Sequence, residues 1–299
     1  MVRLAFIGGA AIYHAQAFAG LINEVDRQAW KGAGMPAFDY PPLVEAGVTA
    51  IWDPKREEAA RLARLAGIPV VLERPEEAIG QVDGVMVLDD ISLAHQRRAR
   101  PFLEAGMPTF IDKPLSPDPR EAAELLETAA RHGAPVMSCS ALRYSRELAE
   151  AREDLAALGR IVHATATGPN ELIFYGIHPL ELAHTVMGPG VEWVQNVGDE
   201  QCSLVRCAYP DGRSIMLQVL APAQPGLQAT FFGEKGFRPV VVTDGGCFYQ
   251  EMIRRFVAMV QTRQMPIPPQ TTLELMRILA GGKRSAQEGG RRVALAEMA

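Results

Sequence analysis

The sequence predicts an α/β protein: an N-terminal Rossmann-type domain built on a parallel sheet, followed by a C-terminal α+β domain with an open, mostly antiparallel sheet. Three observations predict it. Short apolar runs alternate with helix-period segments up to about Ser140, a Gly8-Gly9 turn separates the first run from the first helix, and later strand-like runs are joined by tight-turn signals. Leu4 to Ile7 is the first strand, and Phe18, Leu21, Ile22 and Val25 then fall at i, i+3, i+4 and i+7, the period of an amphipathic helix. The Gly-, Pro- and aromatic-rich stretch from Trp30 to Leu43 reads as an inserted loop. Val48 to Trp52 is the second strand, ending at Asp53-Pro54, and Lys55 to Ala66 is its helix, closed by Gly67. Further strands are expected at Val70 to Leu72, Gly84 to Leu88, Thr109 to Ile111 and Val136 to Ser138, with a helix from about Ser92 to Ala105. Asp118-Pro119-Arg120-Glu121 places an N-cap carboxylate, a proline at the first helical position and a glutamate at N3, so a helix starts there and runs to Gly133. Six strands suit a dinucleotide-binding domain over residues 1–140.

Residues 141–299 form the second expected domain, for substrate binding and oligomerisation. Tyr209-Pro210-Asp211-Gly212 joins the runs Cys202 to Tyr209 and Ser214 to Leu220, and Gly233 to Gly236 closes another hairpin. Helices are expected at His178 to Met187, Gln250 to Val260 and Thr271 to Ala280, the last two able to return to the first domain.

The 299 residues carry 30 Lys+Arg against 35 Asp+Glu, a net charge of -5 that offers no footprint for nucleic acid or an anionic membrane. Neither is an expected partner. No apolar run approaches the roughly 20 residues that span a bilayer, and MVRLAFIGGA enters an apolar strand without a signal-peptide layout. Cys139, Cys202, Cys207 and Cys247 show no C-x-x-C spacing, so neither a disulfide framework nor a cysteine zinc site is indicated. A cytoplasmic location is expected.

A strand-turn-helix can seat a pyrophosphate, because glycines let the backbone approach it and the helix N-terminus is electropositive. Counting from Gly8, G-x-G-x-x-G asks for glycine at Ala10 and Tyr13, so only Gly8 and its neighbour Gly9 remain. Ala10 allows close approach, whereas Tyr13 would crowd the helix–strand contact unless the loop is short. A glycine turn that merely feeds a packing helix is the alternative. Asp53 ends the second strand, where a carboxylate accepts ribose hydroxyls and repels a 2'-phosphate, favouring NAD while leaving NADP possible. It can equally cap the next helix, and Lys55 or Arg56 can recruit a phosphate. Asp89 and Asp90 put carboxylates beside the expected pyrophosphate.

Asp112-Lys113-Pro114 follows the fifth strand at the carboxyl edge of the sheet, where open α/β folds place ligands. A lysine buried there can exchange a proton near neutrality; a lone strand-end lysine is otherwise ordinary surface charge. His178 stands at the first turn of its helix with Glu181 three residues on, facing the same side. An imidazole, with an ordinary pKa of about 6.5, can accept a proton that Glu181 helps to direct. The plainer alternative is that His178 caps the helix and Glu181 complements its dipole. His178 and His184 lie about 120° apart around the axis, so no metal site is expected. His14, His95 and His132 suit packing or capping.

The run from Val82 to Gly133, with the strand at Val85 to Leu88, His95, Glu104-Ala105-Gly106 and above all Asp112-Lys113-Pro114, resembles a known dehydrogenase family. It is the glucose-fructose oxidoreductase, inositol dehydrogenase and rhizopine-catabolism (Gfo/Idh/MocA) family, whose E-K-P signature is matched with aspartate for glutamate. The resemblance extends to Leu142-Arg143-Tyr144, Gly159-Arg160-Ile161 and Tyr175-Gly176-Ile177-His178-Pro179. It implies a nicotinamide cofactor, a lysine touching substrate and nicotinamide, and acid–base groups from a D-x-x-x-H motif; Lys113 and His178 are the matching positions. The motif's aspartate is Phe174 here, which can neither orient a hydroxyl nor carry a proton, so the lysine–aspartate–histidine set is incomplete. The resemblance also implies a homodimer or homotetramer.

Expected cofactor contacts are Gly8, Gly9, Ala10, Ile12, Asp53, Asp89, His95 and Lys113. Expected substrate contacts are Arg143, Tyr144, Asn170, Tyr175 and Glu181, polar groups suited to a small polyhydroxyl, sugar-like molecule. The expected activity is reversible hydride transfer to a secondary alcohol or ketone of a sugar, inositol or polyol. The alternatives are a silent or sensor homologue that binds without turnover, and a reductase of an imine or conjugated double bond.

Overall fold

The computed structural model describes residues 1–89, 95–199 and 201–298, leaving the side chains of His95 and Gln96 outside the description. The chain forms two compact units, one from Met1–Leu115, Ala123–Ser138 and Tyr249–Pro269, the other from Ser116–Ala122, Cys139–Phe248 and Gln270–Ala299.

The first unit is built on a parallel sheet of β1 (Val2–Ile7), β2 (Ala46–Trp52), β3 (Val70–Val71), β4 (Gly84–Val87), β5 (Thr109–Ile111) and β6 (Val136–Met137). The strand order is β3-β2-β1-β4-β5-β6, which reverses direction between β1 and β4 and so opens a crevice at their carboxyl ends. Leu4, Ala5, Phe6 and Ile7, like all of β4, are buried, as expected where helices cover both faces. Its helices are α1 (Tyr13–Ile22), α2 (Arg27–Gly32), α3 (Arg56–Ala66), α4 (His95–Glu104) and α5 (Pro119–Arg131), whose first turn belongs to the other unit. The segment from Tyr249 returns to this sheet, where Phe256 packs edge-on to Phe110 with ring centroids 5.9 Å apart.

Two local expectations change. The first helix ends at Ile22 rather than reaching Val25, because the Asn23 side chain pairs with both backbone groups of Val48. The stretch taken as loop from Trp30 begins inside α2, which Asp26 caps by accepting from Gln28 N and Ala29 N. Six residues are too few to show a helical period, and Trp30 is buried with its indole against Gly20 of α1 and donating to the Pro36 carbonyl at 2.7 Å. The expected helix start at Ser92 lies outside the described residues.

The second unit holds α6 (Arg146–Glu150), α7 (Arg152–Ala157), α8 (Leu172–Tyr175), α9 (Ile177–Met187), the start of α10 (Gly245–Thr262) and most of α11 (Pro269–Gln287). Its sheet runs β12-β11-β7-β10-β9-β8-β13. The strands are β7 (Ile161–Pro169), β8 (Trp193–Asn196), β9 (Cys202–Ala208), β10 (Ser214–Leu220), β11 (Leu227–Gly233), β12 (Gly236–Val242) and β13 (Val293–Ala294). β7 and β10 pair in parallel and the other neighbours antiparallel, so the sheet is mixed but mostly antiparallel. Alternating side chains such as Ala164, Ala166, Leu217 and Phe231 are buried with α9, and small residues on β7 admit that helix closely. A Cβ at Gly168 would sit 3.0 Å from Pro179. On the opposite face Phe232, Phe237 and Val241 are exposed.

Candidate active site

The carboxyl end of β1 leads into Gly8 and Gly9, with φ of 77° and 74°. Glycine is needed here twice over: the left-handed backbone disfavours any Cβ, and one at Gly9 would overlap the Leu88 carbonyl. Gly8 N donates to Trp52 O at 2.7 Å, and Ile12 N to Gly9 O at 2.8 Å, closing a short turn into α1. The N-cap position is Ile12, whose side chain accepts nothing, so α1 presents its electropositive end without a side-chain cap. Tyr13 is the first helical residue and is 52% exposed. The crowding foreseen at Tyr13 is therefore absent, because the shortened turn sends its ring outward, 6.3 Å from Tyr249. Ala10 is buried in the turn.

Asp53 at the end of β2 serves this turn directly. Its Oδ2 accepts from Ala10 N at 2.9 Å and its Oδ1 from Lys55 N at 2.8 Å. Each carboxylate oxygen has a second lone pair, so acceptor capacity for a ribose diol is kept. Lys55, not Asp53, occupies the N-cap position of α3. Arg56 is engaged by Glu73 at 2.5 Å. Asp89 is buried and pairs with Arg98, a partner the sequence did not announce. Asp90 and the side chain of His95 lie outside the described residues. Two glycines in left-handed backbone, the second pressed on the Leu88 carbonyl, an uncapped helix end and a strand-end carboxylate fit a dinucleotide.

β5 runs into Asp112-Lys113-Pro114, whose Lys113–Pro114 peptide is cis. Lys113 is only 3% exposed, so it is not ordinary surface charge. Asp112 Oδ1 accepts from Lys113 N at 2.8 Å, while its Oδ2 lies 2.7 Å from His14 Nδ1. His14 stacks on Phe18 at 5.4 Å and meets the edge of Tyr249 at 5.6 Å. It does pack, as expected, and it also fixes the lysine motif, which spacing along the chain could not reveal. Burial pushes the Asp112 carboxyl up, but the His14 and Lys113 charges outweigh it and hold it below the ordinary range. A carboxyl depressed in the folded state adds stability that is complete above the unfolded value of about 3.9 and is lost as pH falls through the folded value. Asp112→Asn should therefore flatten the decline of Tm between about pH 5 and about pH 2; an acid limb identical to the parent's would contradict this.

In the second unit a three-ten turn, Ala141–Tyr144, is capped by Ser140. Ser140 Oγ lies 2.8 Å from His178 Nδ1, and Ser140 N donates to Glu181 Oε2 at 2.6 Å. Glu181 Oε1 forms an ion pair with Arg143 Nε at 2.7 Å. The expected direct action of Glu181 on His178 is thus routed through Ser140, which holds the imidazole while Glu181 holds Ser140. Burial pushes the Glu181 carboxyl above its ordinary value, against the lowering by Arg143 and Ser140. The Tyr175 ring meets His178 edge-on at 4.8 Å, and Arg143 lies 6.0 Å from the Tyr144 ring. Burial drives the Tyr144 phenol up, so it stays a hydroxyl donor. His178, Glu181, Arg143, Tyr144 and Tyr175 are thus grouped; Asn170 is exposed in left-handed backbone just after β7. His184 pairs with Glu274 at 3.1 Å. Among the described residues no group of His, Cys, Asp or Glu could hold a metal ion. Serine carries no motif of its own, which is why Ser140 escaped the sequence.

Comparison with known proteins bears on the fold that carries these residues. Residues 2–139 match the GFO_IDH_MocA model, described as an oxidoreductase family with an NAD-binding Rossmann fold. A probable dehydrogenase from Thermotoga maritima superposes with a TM-score of 0.83 at 17% identity, covering 100% of both chains. GenD2 from gentamicin A biosynthesis, in complex with NAD, gives 0.81 at 19% identity over 98% of this chain and 96% of its own. Myo-inositol dehydrogenase from Lactobacillus casei, in complex with NAD(H) and myo-inositol, gives 0.78 at 17% identity over 98% and 96%. At such identities these structures establish the fold. Comparison with curated protein sequences gives no match. Residues 2–139 are thus identified with the NAD-binding Rossmann-fold domain of the Gfo/Idh/MocA oxidoreductase family.

Proposed function

We propose that the protein transfers a hydride reversibly between NAD and a secondary alcohol or ketone on a sugar-, inositol- or polyol-like substrate, with NADP the poorer cofactor. The observation that carries this reading is a buried lysine, Lys113, fixed at the end of β5 by Asp112 and His14 on an NAD-binding domain. Gly8, Gly9, Ala10 and Ile12 would hold the diphosphate, and Asp53 the adenosine ribose diol. When bound, the nicotinamide supplies the hydride acceptor or donor. The Lys113 ammonium hydrogen-bonds the reacting oxygen and stabilises it as it gains negative charge. His178 takes or returns the proton at Nε2 while Ser140 engages Nδ1, which compensates for the phenylalanine at 174. Arg143, Tyr144, Asn170 and Tyr175 would meet substrate hydroxyls, and Glu181 positions Ser140 and Arg143.

The myo-inositol complex of a similarly folded dehydrogenase supports the substrate class. A silent homologue is not favoured, since the glycine turn is intact and the family is one of oxidoreductases. Purified protein with NAD and a panel of inositols, sugars and sugar acids should reduce the nucleotide with at least one of them. Saturable nucleotide binding with no turnover across the panel would contradict the activity.

The exposed Phe232, Phe237 and Val241 on the open sheet face support a homodimer or homotetramer. Light scattering should give a multiple of 32.5 kDa at micromolar protein, and the monomer mass would count against it. Among the described residues no helix is long and apolar enough to cross a membrane. Cys202, Cys207 and Cys247 are free thiols, which suits a cytoplasmic location; recovery of the protein in a membrane fraction would oppose it.

A further inference from the structure

Strand order β2-β1-β4 sets two carboxylates on either side of the glycine turn: Asp53 at the end of β2 and Asp89 beyond β4. A diphosphate laid on Gly8 and Gly9 would meet negative charge from both. Asp53 is answered by the backbone N–H groups of Ala10 and Lys55. Asp89 is answered by a guanidinium, that of Arg98 on α4.

Arg98 reaches further than Asp89. Its Nη1 stands only 2.8 Å from where a Cβ on Gly8 would lie, with Cζ at 3.8 Å and the Asp89 Cβ at 3.1 Å from the same point. Its guanidinium also lies over the Trp52 ring, 5.4 Å from the centroid, at the end of β2. The side chain therefore extends from Asp89 across the first glycine of the turn to an aromatic plane on the neighbouring strand. It remains partly open to solvent, at 22% of its side-chain surface.

We infer that Arg98 is a nucleotide-binding residue that bridges Asp89 and the diphosphate of the dinucleotide. The inference rests on reading the Gly8-Gly9 turn as the nucleotide seat. Arginine suits the task because its planar fork carries five donors, enough to serve a carboxylate and a phosphate oxygen together. Trp52 holds the guanidinium plane in place, so little side-chain freedom is lost on binding. Without Arg98 the buried Asp89 carboxylate would oppose the anion that the turn is built to accept.

The test titrates the full chain with NADH and with NADPH, following nicotinamide fluorescence. Arg98→Met should weaken both nucleotides by about tenfold or more, the loss of one charge-assisted hydrogen bond, and should reduce the sensitivity of binding to salt. Arg98→Lys should keep part of the affinity. Asp89→Asn should tighten both, since it removes repulsion and releases the guanidinium. The double variant Arg98→Met/Asp89→Asn should remain weaker than Asp89→Asn alone. Recovery of that single variant's affinity in the double variant would mean that Arg98 only neutralises Asp89, and would overturn the inference. So would a loss confined to NADPH, which would place the contact at the 2'-phosphate, or unchanged binding in Arg98→Met. A parent chain that binds neither nucleotide would overturn the seat itself, a failure distinct from those three.

Discussion

Replacing Arg143 with methionine should cost the fold about 3–5 kcal/mol, the usual penalty for removing one partner of a buried ion pair. Glu181 is 0% exposed and its Oε1 faces Arg143 at 2.7 Å, so the variant leaves a carboxylate with neither water nor a compensating cation at that oxygen. Methionine keeps an aliphatic stem of similar length, which isolates the charge from the volume. The pH dependence gives the sign. Burial already raises the Glu181 carboxyl above its unfolded value, and losing Arg143 raises it further. A carboxyl raised in the folded state favours folding while it is protonated and penalises it as pH climbs from the unfolded value towards the folded one. The cost of Arg143→Met should therefore be largest at neutral pH and shrink in acid. A double variant, Arg143→Met/Glu181→Leu, removes both charges and should recover most of the loss. Urea unfolding midpoints measure all three. A single-variant cost below about 1 kcal/mol would show the pair to be worth no more than a surface salt bridge.

Lys113→Met should lower turnover by about 10²- to 10⁴-fold, the range for removing a group that acts on the reacting proton or oxygen. The effect should fall on kcat rather than on nucleotide affinity, because the turn and Asp53 that would seat the dinucleotide are untouched. Methionine matches the lysine stem in length, and the buried Asp112 keeps His14 as its partner at 2.7 Å, so the fold should survive. Thermal melting separates a folding defect from a chemical one. Turnover equal to the parent's on an identified substrate would remove Lys113 from the chemistry.

Strands β4, β5 and β6 were legible because strands buried on both faces read as continuous apolar runs, and the helix after Asp118 because its capping box is written in four adjacent residues. The placement of Lys113 just beyond β5 was legible for a similar reason, since a strand-end motif carries its own address. The parallel pairing of β7 with β10 was not, because hairpin signals describe neighbours in sequence and say nothing of strands brought together across the chain. The same limit hid both side-chain partnerships at the site. His14 and Asp112 are 98 residues apart and Ser140 and His178 are 38 apart, so only the fold joins them. The place of Tyr13 was not legible either, because the glycine fingerprint fixes a spacing, whereas the turn is short and puts Tyr13 on the outer side of α1.

A crystal structure of the protein soaked with NADH tests the central claim most directly. The diphosphate should lie against the Gly8-Gly9 backbone, the adenosine ribose hydroxyls on Asp53 and the nicotinamide within reach of the Lys113 ammonium. A nucleotide bound elsewhere, or none at millimolar concentration, would contradict it.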